Sequence, residues 1–136
     1  MLPPAHRLST SDLTATMRTG RRAGSSAAVL YGRLTESHDA PRFAIICGKK
    51  IGNAPTRNRV RRQYREIARL RLVPLADPGA QVVIRALPGG SKLDYAGKAT
   101  ETIRLLSRLG VTTQQLAGGQ GDFGTPDISA SSKQVG

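Results

Sequence analysis

The sequence predicts an α/β fold, an α+β sandwich in which helices pack against a central mixed sheet. Segments with helical and strand patterns follow one another in the order α, β, β, α, β, α. Residues 42–86 run strand, helix, strand, and such a crossover unit joins parallel strands. The chain shows no internal repeat and no heptad run, which argues against a solenoid or a coiled coil. Helices layered on a sheet are therefore the natural architecture.

The first helix is predicted at residues 13–18. Residues 9–12 precede it and carry side chains that can cap a helix. Gly20 follows it, and glycine is a residue at which helices commonly end. The segments that follow are a basic turn, a first strand and an apolar, β-branched second strand, at residues 21–26, 27–34 and 42–47.

The most strongly patterned helix is predicted at residues 56–72. A turn containing Gly and Pro precedes it, with Pro55 where a first helical turn tolerates proline, and Pro74 and Pro78 end it. The remaining elements are a third strand, a turn and a last amphipathic helix, at residues 80–86, 88–90 and 93–109.

The composition bounds the class of protein. The chain has 136 residues, with 21 Lys and Arg against 9 Asp and Glu, a net charge of +12. No stretch approaches the roughly 20 apolar residues that span a bilayer, and the single cysteine cannot close an internal disulfide. We therefore expect a cytoplasmic protein that binds a polyanion, with nucleic acid favoured over an anionic membrane surface or an acidic partner protein.

The charge distribution divides the chain into a domain and a tail. Residues 110–136 contain one cation, Lys133, and are rich in Gly and Ser, a composition that favours disorder. Residues 1–109 contain the other 20 cations and 7 acids, so their net charge is +13. We predict one folded domain at residues 1–109 and a disordered tail at residues 110–136.

A basic segment at residues 49–71 holds most of this charge. It has one acid, Glu66, against nine cations: Lys49, Lys50, Arg57, Arg59, Arg61, Arg62, Arg65, Arg69 and Arg71. At about 100° per residue, Val60, Tyr64 and Leu70 fall on one helix face and the cations Arg61, Arg62, Arg65 and Arg69, with Asn58, on the other.

A solvated helix face is the plain alternative for such a charge run. Solvated faces usually alternate acids with cations, whereas Arg57, Arg61, Arg65 and Arg69 form a ladder of like charges at i,i+4 that repel one another. The ladder indicates that an external anion supplies the missing charge, and a phosphate backbone fits it. Free backbone N–H groups at the start of the helix, with Lys49 and Lys50 beside them, extend the same anion site.

The sequence offers no catalytic group of its own. No close pair of acids could hold two metal ions, and His6 and His38 have no partner at ligand spacing. Cys47 ends an apolar strand, which favours a buried small hydrophobe over a nucleophile. A DNA-recognition helix at residues 56–72 is disfavoured, because a strand precedes it where a helix-turn-helix protein has a helix.

The protein subunit of bacterial ribonuclease P carries an RNR motif, which residues 49–66 closely resemble. The family pattern is two lysines, a hydrophobic residue, Gly, a variable pair, Arg-Asn-Arg, a hydrophobic residue, two basic residues and Arg-Glu. Further matches in order and spacing extend the resemblance over residues 7–109, at Arg7-Leu8 with Asp12, Gly20-Arg21-Arg22, Val29-Leu30-Tyr31, Ile84-Arg85 and Tyr95.

The resemblance implies a fold like domain 2 of ribosomal protein S5, with a left-handed β-α-β crossover, an exception to the usual handedness. It also implies contacts of the RNR helix and its preceding turn with the catalytic RNA, made by Lys49, Lys50, Arg57, Asn58, Arg59, Arg61, Arg62 and Arg65. The 5′ leader of precursor tRNA would lie in a cleft between the first helix and the sheet, beside Leu13, Met17, Tyr31 and Arg85.

Four positions in two segments depart from the family pattern. Phe is frequent in the family where this chain has Leu13 and Met17, so leader bases would lose a stacking partner, and core packing is an alternative role for both residues. Asn53 and Pro55 replace a basic and an aliphatic residue, which removes one cation from the turn. We therefore expect weaker or less base-selective leader contact.

The implied function is that of a non-catalytic protein subunit of an endoribonuclease. Ribonuclease P RNA would be the catalyst and the main partner, precursor tRNA the substrate, and Mg2+ would be held mainly by the RNA and by substrate phosphates. The product would be tRNA with a mature 5′ phosphate. The alternative is a structural RNA-binding module, such as a ribosomal or assembly protein, without a role in cleavage.

Overall fold

The computed structural model describes residues 2–112, with three α-helices and four strands in this part of the chain. The helices are α1 (Thr10–Thr19), α2 (Ala54–Ile67) and α3 (Tyr95–Ser107). The strands are β1 (Arg21–Gly24), β2 (Ala28–Leu34), β3 (Arg42–Ile46) and β4 (Ala80–Ala86). Short 3-10 helices lie at Pro4–His6, Lys49–Ile51 and Pro88–Lys92, and a π-helical turn, Ala68–Leu72, continues α2.

The four strands of the described region form one mixed sheet in the order β1, β2, β4, β3. β2 runs antiparallel to β4, with Leu30 opposite Ile84, whereas β3 runs parallel to β4, with Phe43 opposite Val82. The predicted sandwich with a mixed sheet is therefore confirmed. The three predicted strands agree with β2, β3 and β4 to within one residue at each end.

Strand β1 corrects the prediction of a basic turn at residues 21–26. Arg22 pairs with Tyr31 and Ala23 with Leu30, so this segment forms an antiparallel edge strand beside β2. Only Ala23 of its four residues is buried. A segment this short and polar carries no alternating apolar pattern, and its pairing with β2 is what makes it a strand.

One face of the sheet packs against α2 and α3. Leu30 of β2, Phe43 of β3 and Ile84 of β4 share this face and belong to one core with Tyr64 of α2 and Leu105 of α3, all at most 1% exposed. Burying a large apolar side chain contributes roughly 1.5 to 3 kcal/mol relative to leaving it exposed. The opposite face of the sheet carries α1.

The π-helical turn changes which side chains face the core at the end of the basic helix. The N–H of Val73 donates to the carbonyl of Ala68 at 2.9 Å, an i to i+5 bond that fits one more residue into the turn than an α-turn holds. Leu70 is consequently 47% exposed, which corrects its predicted place on the apolar side. Leu72 takes the buried position instead.

The chain leaves α3 through Gly110, whose φ of 75° lies in the region that favours glycine. Val111 is buried, and its carbonyl accepts a 2.8 Å hydrogen bond from the N–H of Asp77. The predicted tail at residues 110–136 thus starts within a packed segment, and its residues 113–136 lie outside the described part of the chain. Among residues 2–112, no helix has the length and apolarity to cross a membrane.

Candidate nucleic-acid interface

The start of α2 is fixed by a side-chain cap. Asn53 Oδ1 accepts a hydrogen bond of 3.0 Å from the N–H of Thr56, which satisfies a donor that the helix itself leaves unpaired. Pro55 lies in the first turn, as predicted. Arg57 reaches back to donate to the carbonyl of Gly52 at 2.8 Å, so its guanidinium is held against the preceding turn.

The cations of α2 lie on the face away from the core. Arg59 and Arg62 are exposed, Arg61 and Arg65 are half-buried, and Tyr64 on the opposite side is 1% exposed. The predicted division of this helix into an apolar face and a cationic face holds up to the π-helical turn. We call the cationic face, together with Arg57 on its flank, the stripe; it comprises Arg57, Asn58, Arg61, Arg62, Arg65 and Arg69.

Hydrogen bonds within the protein orient part of the stripe. Arg61 donates to Asn58 Oδ1 at 3.0 Å and to the carbonyl of Cys47 at 3.4 Å. The single acid of the basic segment, Glu66, pairs with Arg69 at 3.0 Å. The ladder of Arg57, Arg61 and Arg65 thus keeps its positive charge while two of its guanidinium groups are already positioned, an arrangement suited to holding successive phosphates.

Two exposed lysines adjoin the N-terminal end of the stripe. Lys49 and Lys50 lie on the 3-10 helix that leads into α2. The backbone contributes less to this anion site than the sequence predicted. Pro55 has no N–H, and the N–H of Thr56 is taken by Asn53, so the two lysines and Arg57 supply most of the positive charge here.

Two titratable groups lie behind the stripe without forming a reactive centre. Burial raises the pKa of Tyr64 to about 12, so its hydroxyl stays protonated. Burial also raises the pKa of the Cys47 thiol, against the lowering effect of Arg61 and Arg57. Cys47 is 6% exposed and belongs to the core, as predicted for a small hydrophobe.

A second feature is the contact of α1 with the sheet face opposite to α2. Gln81 Oε1 on β4 accepts hydrogen bonds from Thr16 Oγ1 of α1 at 3.3 Å and from Arg33 Nε of β2 at 2.8 Å. Arg33 also lies 3.7 Å from a carboxylate oxygen of Asp12. These contacts hold α1 at the end of β2 where the chain leaves the strand.

The flank of α1 that faces away from Arg33 borders the part of the sheet that carries Tyr31. With Thr16 facing the sheet, helical periodicity places Asp12 on the flank toward Arg33 and Leu13 and Met17 on the other flank. Leu13 and Met17 are both half-buried. We call the groove between this flank and the sheet the cleft.

The floor of the cleft combines apolar and basic side chains. Tyr31, half-buried, lies two residues before Arg33 on the same face of β2, and Arg85, exposed, lies four residues after Gln81 on the same face of β4. Val29 is directly opposite Arg85 in the register. The fold therefore places Leu13, Met17, Tyr31 and Arg85 on the α1 side of the sheet, on the flank of α1 away from Arg33 and separate from the stripe.

Two contributors to this groove are absent from the residues predicted by sequence. Arg22 pairs with Tyr31 across β1 and β2, so its exposed side chain lies on the cleft face of the sheet. It was missed because β1 was predicted to be a turn. Gln81 was assigned to a strand, but a lone polar residue in a strand does not reveal which side chains converge on it.

Metal-ligating side chains are not clustered in the described part of the chain. Among residues 2–112, no group of three or more His, Cys, Asp or Glu side chains lies close enough to hold a metal ion.

Comparison with known proteins decides the family. A family model for ribonuclease P matches residues 2–110, which covers both the stripe and the cleft. The chain belongs to the ribonuclease P protein family. The resemblance based on the RNR motif is thereby confirmed.

Relatives and solved structures agree with this assignment. The ribonuclease P protein component of Acidothermus cellulolyticus is 37% identical over 113 residues, covering 80% of this chain and 92% of the relative. That of Corynebacterium diphtheriae is 42% identical over 95 residues, covering 65% and 79%. The Staphylococcus aureus RNase P protein structure superimposes with a TM-score of 0.69 at 18% identity, covering 82% of this chain and 100% of that one. The Thermotoga maritima RNase P protein gives 0.67 at 24%, covering 76% and 96%.

The likeness to the solved structures supports the fold, and the sequence relatives support the function. As a ribonuclease P protein component, the chain is part of a ribonucleoprotein whose family role is tRNA processing. Membership in this complex implies a ribonuclease P RNA as its partner.

Proposed function

We propose that the chain binds the catalytic RNA of ribonuclease P with the stripe and the lysines beside it. The observation that carries this proposal is the ladder of Arg57, Arg61 and Arg65, which faces away from the core and has almost no acid to neutralise it. Phosphates along an RNA strand would supply the missing negative charge. Asn58 and Arg59, both exposed, would add contacts to sugar or base edges.

The cleft is proposed to hold the 5′ leader of precursor tRNA. Arg85 and Arg22 would contact leader phosphates, while Tyr31 could stack on an unpaired base. Leu13 and Met17 offer apolar contact but no ring. Because the leader is present in the precursor and absent from the product, contacts in the cleft would favour binding of precursor over mature tRNA.

The RNA subunit is proposed to carry out the cleavage. Water would attack one phosphodiester bond, the leader would leave with a 3′ hydroxyl, and the tRNA would keep a 5′ phosphate. Mg2+, held mainly by the RNA and by substrate phosphates, would supply the nucleophile and stabilise the leaving oxygen. The protein would lower phosphate repulsion by its positive charge, and the complex would act in the cytoplasm, where precursor tRNA is made.

The alternative is a structural RNA-binding module that has no effect on cleavage. Reconstitution with a transcribed ribonuclease P RNA at low Mg2+ separates the two. The proposal predicts that a leader-bearing precursor tRNA is cleaved faster with the chain than without it, because the stripe reduces the Mg2+ needed to assemble the active RNA. Equal rates with and without the chain would favour the structural module.

A further inference from the structure

A cavity of about 220 Å³ lies between α2, α3 and the 3-10 helix at Pro88–Lys92, next to the stripe. Its walls combine apolar side chains, among them Val60, Leu87 and Leu93, with a comparable share of polar groups, and Arg59 is one of the lining residues. A lining of this kind suits a small ligand that has both an apolar face and polar groups. Neither the stripe nor the cleft accounts for it.

Gln63 of α2 lines this cavity and has an unmet hydrogen-bonding requirement. Its Oε1 is inaccessible to solvent and has no hydrogen-bond partner among the described residues. Leaving a buried acceptor unpaired destabilises a protein, so such a group needs an explanation. A turn of the Gln63 amide toward the cavity would let an N–H donor of a ligand satisfy this oxygen.

Lys98 of α3 lines the same cavity and is 7% exposed. Its Nζ donates to the carbonyl of Leu93 at 3.1 Å, which uses one of its three N–H donors. Burial and the nearby Arg59 lower the pKa of Lys98. The cavity therefore combines an unpaired acceptor on one helix with a buried donor on the next.

We propose that this cavity receives one unstacked nucleobase of the RNA bound along the stripe, with Gln63 and Lys98 contacting the base edge. Nucleobases present adjacent donors and acceptors on that edge, and their faces suit apolar walls such as Val60 and Leu93. A phosphate fits less well, because it has no N–H to offer Gln63. The inference rests on the proposed function, since it requires RNA on α2.

Chemical footprinting of a reconstituted complex tests this inference. The probe is transcribed Acidothermus cellulolyticus ribonuclease P RNA bound to the full chain. Dimethyl sulfate reports the base edges of A and C, and a carbodiimide reports those of G and U. We expect one unpaired base to be protected by the wild-type chain and to become reactive with Gln63→Leu and with Lys98→Met. RNA affinity should fall about 10-fold in each variant.

Two controls distinguish a loss of the base contact from a loss of folded protein and from a general effect of positive charge. Gln63→Leu removes the unpaired acceptor, so the free variant should melt at the wild-type temperature or above while binding RNA more weakly. Lys92→Met removes one positive charge from the exposed residue at the end of the same 3-10 helix and should leave the protected base unchanged.

Three outcomes would overturn the inference. Identical footprints and affinities for wild type and Gln63→Leu would exclude a base in the cavity. Weaker binding by Lys98→Met alone, with the footprint unchanged, would indicate a phosphate contact instead. If the wild-type chain protects no base and does not bind the RNA, both the proposed function and this inference are wrong.

Discussion

Arg33 Nε donates a 2.8 Å hydrogen bond to Gln81 Oε1, and this bond connects the two strands beneath α1. The same oxygen accepts from Thr16, which is completely buried. One side-chain carbonyl thus links α1, β2 and β4. The attachment of α1 to the sheet therefore includes a hydrogen bond to this oxygen, which Arg33 also contacts.

Replacing Gln81 with Ala should destabilise the protein by about 1 to 3 kcal/mol, because the buried hydroxyl of Thr16 and the guanidinium of Arg33 lose their acceptor. Chemical denaturation measures this loss as a lower midpoint at an unchanged m-value. Gln81→Glu keeps an acceptor for both donors and should retain most of the stability. Equal losses in the two variants would show that the shared acceptor is not what stabilises α1.

Asn53→Ala should lower the free energy of unfolding by about 1 kcal/mol, because α2 loses its N-terminal cap. Asn58→Ala is a matched control on the exposed surface of the same helix, and its effect on stability should stay within about 0.5 kcal/mol. RNA binding should show the reverse order, with the larger effect for Asn58→Ala. Comparable stability losses in both variants would contradict the capping role of Asn53.

The sequence predicts this fold well where local pattern and burial coincide. The predicted bounds of strand β4, residues 80–86, agree with the structure at both ends. The helical period of the apolar residues identifies the apolar face of α2. β1 was missed because its strand character comes from pairing with β2, which is non-local. Leu70 was misplaced because a π-helical turn interrupts the α-helical period.

The parts of the candidate site also differ in how far the sequence predicts them. The stripe is continuous in sequence, so charge counting and helical projection were enough to find it. The cleft is assembled from α1, β1, β2 and β4, and only the resemblance brought four of its residues together before the structure did. The cavity beside Gln63 depends on the packing of α2 against α3, for which the sequence carries no local signal.

Replacing both Arg61 and Arg65 with Ala should reduce the salt dependence of RNA binding. For each phosphate that the variant no longer neutralises, the slope of log K against log salt should fall by about 0.7 to 0.9. Arg104, in the last turn of α3, and Arg108, the residue that caps its C-terminal end, are a matched control pair with the same i,i+4 spacing. Their double Ala variant removes the same charge and should keep the wild-type slope. Equal slopes for all three proteins would mean that the stripe is merely solvated.

Leu13→Phe and Met17→Phe should strengthen leader binding, because a ring on this flank of α1 can stack on a base for about 1 to 3 kcal/mol. The measurement is the affinity of the reconstituted complex for a leader-bearing precursor tRNA, with at least a roughly 5-fold gain expected per stacked base. Thr14→Phe places the ring on the exposed side of α1 and should give no gain. A gain with Thr14→Phe as large as the others would show that the leader does not lie in the cleft.

The central claim is that one protein holds the catalytic RNA with its stripe and the leader with its cleft. The most direct measurement is the ratio of affinities for precursor and mature tRNA, determined for the RNA alone and for the RNA with the chain bound. We expect the chain to raise the preference for precursor, and Arg85→Ala, which removes a cation from the cleft and none from the stripe, to lower it again. An unchanged ratio at full occupancy of the RNA by the chain would contradict the claim.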